Sequence, residues 1–149
     1  MHKMNKSEIL NIIQLKLTQK VETLEKMIAE TRASNNETKS SMGDKYETSR
    51  EMVQQEINNL QIQLNENIRL RNSLKSISVN PHQNVGLGSL VETDKGLFYI
   101  AVSLGMIDYE KKKIFLISPE SPLAQAMNGK TENEVFSMNG TQQKIVKIW

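Results

Sequence analysis

Proline and glycine are distributed with a sharp asymmetry, and that asymmetry constrains the fold more than any other feature. Residues 1–78 contain no proline and a single glycine, Gly43. Residues 79–149 hold all three prolines and the other six glycines. Proline breaks helix interiors and glycine weakens them, so the first half is free to form long uninterrupted helices. The second half is punctuated for turns. The boundary falls at Val79-Asn80-Pro81-His82-Gln83-Asn84, which reads as a linker over 79–84 between a 1–78 segment and an 85–149 segment.

Hydrophobic periodicity supports this division. Asn5 and Glu8 have the spacing of a capping box. After them Leu10, Ile13, Leu17, Val21, Leu24 and Ile28 recur at steps of three and four. Val53, Ile57, Leu60, Leu64, Ile68, Leu74 and Ile77 repeat the pattern in a second arm. Both are helical seams, not strand alternation. The arms Asn5–Ser41 and Tyr46–Ile77 are of nearly equal length, which predicts an antiparallel coiled-coil hairpin reversing around Gly43 and Asp44. At 1.5 Å per residue, an arm of ~30 residues projects about 45 Å. The run Ser34–Ser41 reads either as a weak last stretch of helix or as a loop.

The second segment changes period. Ser89–Glu92, Leu97–Leu104, Lys113–Ile117, Val135–Met138 and Lys144–Ile148 are short strand-like runs, and Asp94-Lys95-Gly96 offers a hairpin turn. Between the third and fourth runs, Ser121 at a cap, Pro122 at the first helical position and Gly129 just past the end describe one short helix. It is expected to lay Leu123, Ala126 and Met127 on a sheet. The fold class is therefore α+β: a helical hairpin followed by a small twisted β-sheet domain with one helix.

Composition narrows the chemistry. Hydrophobic residues are 38% and aromatics 5%, low for one compact core and consistent with a thin hairpin that needs only a narrow apolar seam. The net charge, 19 − 17 = +2, gives no reason for general nucleic-acid binding and leaves room only for local, DNA-facing patches. The absence of cysteine excludes disulfides and thiolate chemistry. No apolar run approaches the ~18 residues of a membrane span, and Met1–Lys6 lacks signal-peptide character. A cytoplasmic monomer is the expectation.

The residues that carry chemistry are Asp44 and Glu47, in Met42-Gly43-Asp44-Lys45-Tyr46-Glu47. An aspartate followed three residues later by a glutamate is close to a capping box, and both charges suit the positive end of a helix dipole. The two acids also sit where the hairpin turns, with Glu37 as a third carboxylate nearby. Carboxylate oxygens are hard ligands suited to Mg²⁺. Two or three of them cannot complete an octahedral cage, so they would complete a site whose other ligands come from a partner and a phosphate. The capping and metal readings are compatible.

Other signals resolve to structure. Gly86 and Gly88, in Val85-Gly86-Leu87-Gly88, precede a strand, whereas phosphate cradles open onto a helix; a turn entering the first strand is expected. Lys111-Lys112-Lys113 reads as a solvated hairpin tip. His2 and His82 lack metal-ligand spacing and are expected to be exposed. Trp149 is read as either capping the small core or disordered.

Taken together, the chain resembles the Gre-type bacterial transcript-cleavage factors. Gly43-Asp44-Lys45-Tyr46-Glu47 is similar to that family's Gly-Asp-x-x-Glu tip. Val85-Gly86-Leu87-Gly88-Ser89-Leu90-Val91 is similar to the opening of its FKBP-like C-terminal domain. The run Ile117-Ser118-Pro119-Glu120-Ser121-Pro122-Leu123-Ala124-Gln125-Ala126-Met127-Asn128-Gly129-Lys130 resembles its Ser-Pro-(Leu/Ile)-(Ala/Gly)-x-Ala-(Leu/Met)-x-Gly-Lys helix. The resemblance implies a factor that is not itself an enzyme. It would bind RNA polymerase and insert its coiled coil into the secondary channel. There Asp44 and Glu47 would help hold a Mg²⁺ shared with the polymerase centre, which cuts backtracked RNA. The nascent RNA 3′ end is met only indirectly. The family usually continues after its glutamate with Asn-Ala-Glu-Tyr; this chain has Thr48-Ser49-Arg50-Glu51. That departure favours an alternative, a channel-binding regulator without cleavage. A prolyl isomerase and a purely structural coiled-coil adaptor are further readings.

Overall fold

The computed structural model describes residues 4–37 and 45–149, without the side chains at 35–37 and 45–48. Two helices lead the chain, α1 over Lys6–Glu37 (32 residues) and α2 over Lys45–Ser73 (29 residues). A short 3₁₀ turn, Leu74–Ser76, follows α2. Val21 and Ile28 of α1 pack in one cluster with Ile57, Leu60 and Leu64 of α2, flanked by Leu24, Val53 and Ile68. From Glu37 to Lys45 the chain can span at most roughly 30 Å. A parallel pair would need a return of about 44 Å along α2, so the pair is antiparallel. The expected seam is thus formed, with one change of phase. Ile9, not Leu10, is fully buried at the start of α1.

Six strands follow: β1 Leu90–Thr93, β2 Gly96–Ile100, β3 Gly105–Tyr109, β4 Lys112–Ile117, β5 Val135–Met138 and β6 Thr141–Ile148. They form one mixed sheet of order β3-β4-β2-β1-β6-β5, antiparallel throughout except for β2 beside β4. The expected α+β class holds. The Leu97–Leu104 run, however, is not one strand. Pairing stops at Ile100, and the chain crosses over through Ala101 and Val102 to a strand that the sequence reading left out, β3. Ala101 and Val102 are buried, which is why a crossover reads as a continuous apolar run. Gly105, at φ +83, starts β3.

The two-residue turn at Asp94-Lys95 joins β1 to β2 with Thr93 opposite Gly96, as expected. Asn139 (φ 52) and Gly140 (φ 77) make a second tight hairpin of the primed kind that matches strand twist. The lysine run forms the third. Its tip is Glu110 and Lys111, both at positive φ, and Lys112 and Lys113 open β4. Helix α3, Pro122–Met127, begins as its sequence predicts: the Ser121 hydroxyl accepts from the Ala124 N–H, and proline sits in the first turn. Ala124 and Met127 are its buried residues. They pack with Val91, Ile100, Phe136, Ile145 and Ile148, and Leu123 and Ala126 lie at the edge of that core.

By contact density the chain divides into two compact units, residues 14–73 and residues 1–13 with 74–149. Helix α1 is therefore shared. Its first two turns belong with the β-sheet unit, and the rest pairs with α2. Among the described residues, no helix is long and apolar enough to cross a membrane.

Candidate functional site

Asp44 lies outside the described residues. Glu47 falls in the first turn of α2, with its side chain outside them. The acids thus occupy, in chain order, the junction between the two long helices. Glu37, the third carboxylate of the sequence reading, is the last residue of α1. Among the described residues, no group of three or more histidine, aspartate or glutamate side chains could hold a metal ion. Two carboxylates supply hard oxygen donors of the kind Mg²⁺ prefers, but fewer than its six-coordinate shell requires.

The described residues bring together a different polar cluster, at the start of α1. The side chain of Lys6 is 5% exposed. Its ammonium donates to three backbone carbonyls: Asn80 at 2.7 Å, Gly88 at 2.8 Å and Trp149 at 3.2 Å. Three N–H bonds thus meet three acceptors from three separate stretches of chain. Burial pulls the Lys6 pKa down to about 8, and the carbonyls favour the form that stays protonated at neutral pH. The local backbone is shaped for this contact. Gly88 has φ +90, and a Cβ there would stand 3.0 Å from the Ser78 carbonyl oxygen.

Two further contacts surround it. Asn5 caps α1 as expected, its side chain accepting from the Glu8 N–H at 3.2 Å. Glu8 does not return the bond as a capping box would. Its carboxylate accepts from the Tyr109 hydroxyl at 2.6 Å, which raises the Tyr109 pKa. His82 is half-buried, not exposed as its linker position suggested, with Nδ1 2.7 Å from the Ser89 hydroxyl. Burial, with the Lys6 charge as a second cause, lowers its pKa. Ser89 also accepts from the Gly86 N–H, so the glycine-rich stretch is the turn entering β1 that the sequence predicts. Trp149 is ordered by pairing its backbone with Leu90. Lys147 stands 5.1 Å from the Trp149 ring centroid.

Sequence reasoning missed Lys6, and no local signal marks it. One lysine among several near the chain start acquires its role only when residues 80, 88 and 149 converge. The aromatic residues argue against an isomerase pocket. Tyr99, Tyr109 and Phe136 are spent in the interior, and Phe115, stacked on Phe98 with centroids 5.6 Å apart, is 42% exposed on the sheet.

No family model and no curated protein matches the chain. Solved structures do, among them three of Gfh1. The GreA factor homolog 1 (Gfh1) protein of Thermus thermophilus is 18% identical, with 91% of this chain and 94% of that chain covered and a TM-score of 0.35. The Gfh1 of Thermus aquaticus is 19% identical, with coverages of 89% and 91% and a TM-score of 0.34. A further structure of the transcription factor Gfh1 is 17% identical, with coverages of 91% and 92% and a TM-score of 0.36. At these identities and TM-scores the likeness carries no functional argument for this chain.

Proposed function

We propose that this protein is a Gre-like transcription elongation factor. It binds RNA polymerase, reaches into the secondary channel with its helix pair and stimulates cleavage of backtracked RNA by the polymerase's own centre. The observation that carries the reading is Gly43-Asp44-x-x-Glu47 at the junction of two long antiparallel helices. Two acids that fall, in chain order, between two long paired helices would be suited to supply ligands to another molecule's site. In such a centre a second Mg²⁺ orients the attacking water and stabilises developing charge. Asp44 would give the principal oxygen ligand, and Glu47 would assist the ion or orient its water. The residues 85–149 would dock at the channel rim, and the RNA 3′ end would be met only through the polymerase.

A second reading is a channel regulator that leaves RNA intact. Thr48-Ser49-Arg50-Glu51, where the resembled family has Asn-Ala-Glu-Tyr, favours it. One experiment separates the two. Purified protein is added at saturation to stalled, backtracked polymerase. Faster RNA shortening, lost on Asp44→Ala with Glu47→Ala, supports the cleavage factor. Competition with an authentic cleavage factor without shortening supports the regulator. Neither shortening nor competition overturns both.

A further inference from the structure

A groove runs between α1 and α2 within residues 14–73, away in sequence from Asp44 and Glu47. Its volume is about 430 Å³, inside the range of roughly 300–1,000 Å³ of small-molecule sites. Lys16, Lys20 and Thr23 line it from α1, and Gln63 and Asn67 line it from α2. Each pair, Lys16 with Lys20 and Gln63 with Asn67, is spaced by one helical turn, so its members share a face about 6 Å apart. The antiparallel arrangement sets Lys16 toward the Asn67 end and Lys20 toward the Gln63 end. The lining contains no carboxylate, arginine or aromatic ring. Between Glu8 and Glu22 the only charged residues of α1 are Lys16 and Lys20, and between Glu56 and Glu66 α2 has none. Glu22, two residues past Lys20, is turned about 200° round the helix from it. Glu66, beside Asn67, accepts from Arg69 on both carboxylate oxygens, at 2.6 and 3.0 Å.

We propose that this groove binds a diphosphate group, one phosphoryl held by each of Lys16 and Lys20, with the amides of Gln63 and Asn67 and the Thr23 hydroxyl donating to its oxygens. Two cations one turn apart match a ligand with two anionic centres better than a lone phosphate, which reaches one of them in good geometry. Lysine binds phosphate as a point charge, whereas a planar carboxylate is better served by the arginine fork that the groove lacks. The lack of aromatic rings leaves nothing on which a nucleic-acid base would stack. An ammonium has three N–H donors, so Lys16 can hold a neighbour and a ligand oxygen together. Asn67 gives one of its two amide hydrogens to the Gln63 carbonyl at 2.8 Å and keeps the other for the ligand. This site is independent of the acids at 44 and 47, and its test does not involve polymerase.

The test is titration of the full chain with inorganic pyrophosphate, adenosine diphosphate and sulfate at one fixed ionic strength, followed by amide chemical shifts. Pyrophosphate is expected to move the Thr23 backbone amide and the Gln63 and Asn67 side-chain amides, and to bind about tenfold or more tighter than sulfate. Equal affinity for adenosine diphosphate means that the groove reads the diphosphate alone, and tighter binding means that it takes the group as an organic ester; both support the proposal. Lys20 is exposed, so Lys20→Gln should fold and weaken pyrophosphate about fivefold or more, the size of one charged hydrogen bond reduced by water and salt. Lys26→Gln, on α1 outside the groove, should leave the affinity unchanged. The proposal is overturned if pyrophosphate does not bind or binds no tighter than sulfate. It is also overturned if the shifts fall outside the groove, or if Lys20→Gln weakens binding no more than Lys26→Gln does.

Discussion

Lys6 shows how a single side chain can be set by groups far away in sequence. Its pKa, lowered from 10.5 to about 8, has a definite sign in stability. The unfolded chain holds that proton more tightly, so the contribution is fully present above about 10.5 and lost as pH falls through about 8. The unfolding free energy of the native chain, relative to that of Lys6→Met, should therefore climb between pH 8 and 10. The ceiling is about 3 kcal/mol, at about 1.4 kcal/mol per pH unit. Above pH 10 Tyr99 opposes it. Burial raises that phenol to about 12, a contribution present below 10 and lost as pH rises through 12. Urea titrations at several pH values check the slope. His82 acts at the other limb. Its lowered pKa makes stability fall as pH drops below 6.5, and His82→Gln should flatten that fall. Tyr99 also yields a simpler prediction. Its hydroxyl is buried without a hydrogen-bond partner among the described residues. Tyr99→Phe removes a desolvated polar group and should be neutral or stabilising by up to about 1 kcal/mol in thermal melts.

At the scale of elements, the two periods of the sequence behave differently under tertiary packing. The helical seam survives nearly intact because every third or fourth position faces the partner whatever surrounds the pair. Leu60 is buried in that seam, and Ile62, two residues on, is 67% exposed. Leu60→Ala should destabilise residues 14–73 by about 2–4 kcal/mol, whereas Ile62→Ala should change stability by less than about 0.5 kcal/mol. Paired denaturation curves followed by far-ultraviolet circular dichroism test the contrast. Strands are less readable. The register of β1 on β6 shifts between Glu92, opposite Lys147, and Thr93, opposite Ile145, which leaves Val146 as an extra residue and exposes it. An apolar residue in a strand-like run thus faces water for a reason of pairing. The Asn139-Gly140 turn was there to be read, since this dipeptide suits a two-residue hairpin. It would have extended β6 back to Thr141. Glu110-Lys111 turns in the same way with residues that give no such signal.

For the whole molecule, residues 14–73 and residues 1–13 with 74–149 are two compact units, and α1 contributes residues to both. Removing the acids should leave both units folded. Asp44→Ala with Glu47→Ala is expected to unfold within about 1 kcal/mol of the native chain, the scale of a lost cap, while abolishing RNA shortening in the polymerase assay. Loss of stability far beyond that size would mean that the acids serve the fold.

The division between helical arms and a turn-rich β-unit follows from proline, glycine and hydrophobic spacing alone, because those act through local sterics and through the repeat of side chains along each element. The Ser121-Pro122 start of α3 belongs to the same class: cap, ring and helix are neighbours in the chain. Tertiary structure alone decided that Ala101 and Val102 form a crossover, that His82 turns inward to Ser89 and that Glu8 leaves its own helix for Tyr109. It alone made Lys6 a buried cation. The Lys6 and Glu8 contacts join atoms tens of residues apart, and even the His82–Ser89 contact across seven residues depends on how the turn before β1 folds, a meeting that neither periodicity nor spacing encodes.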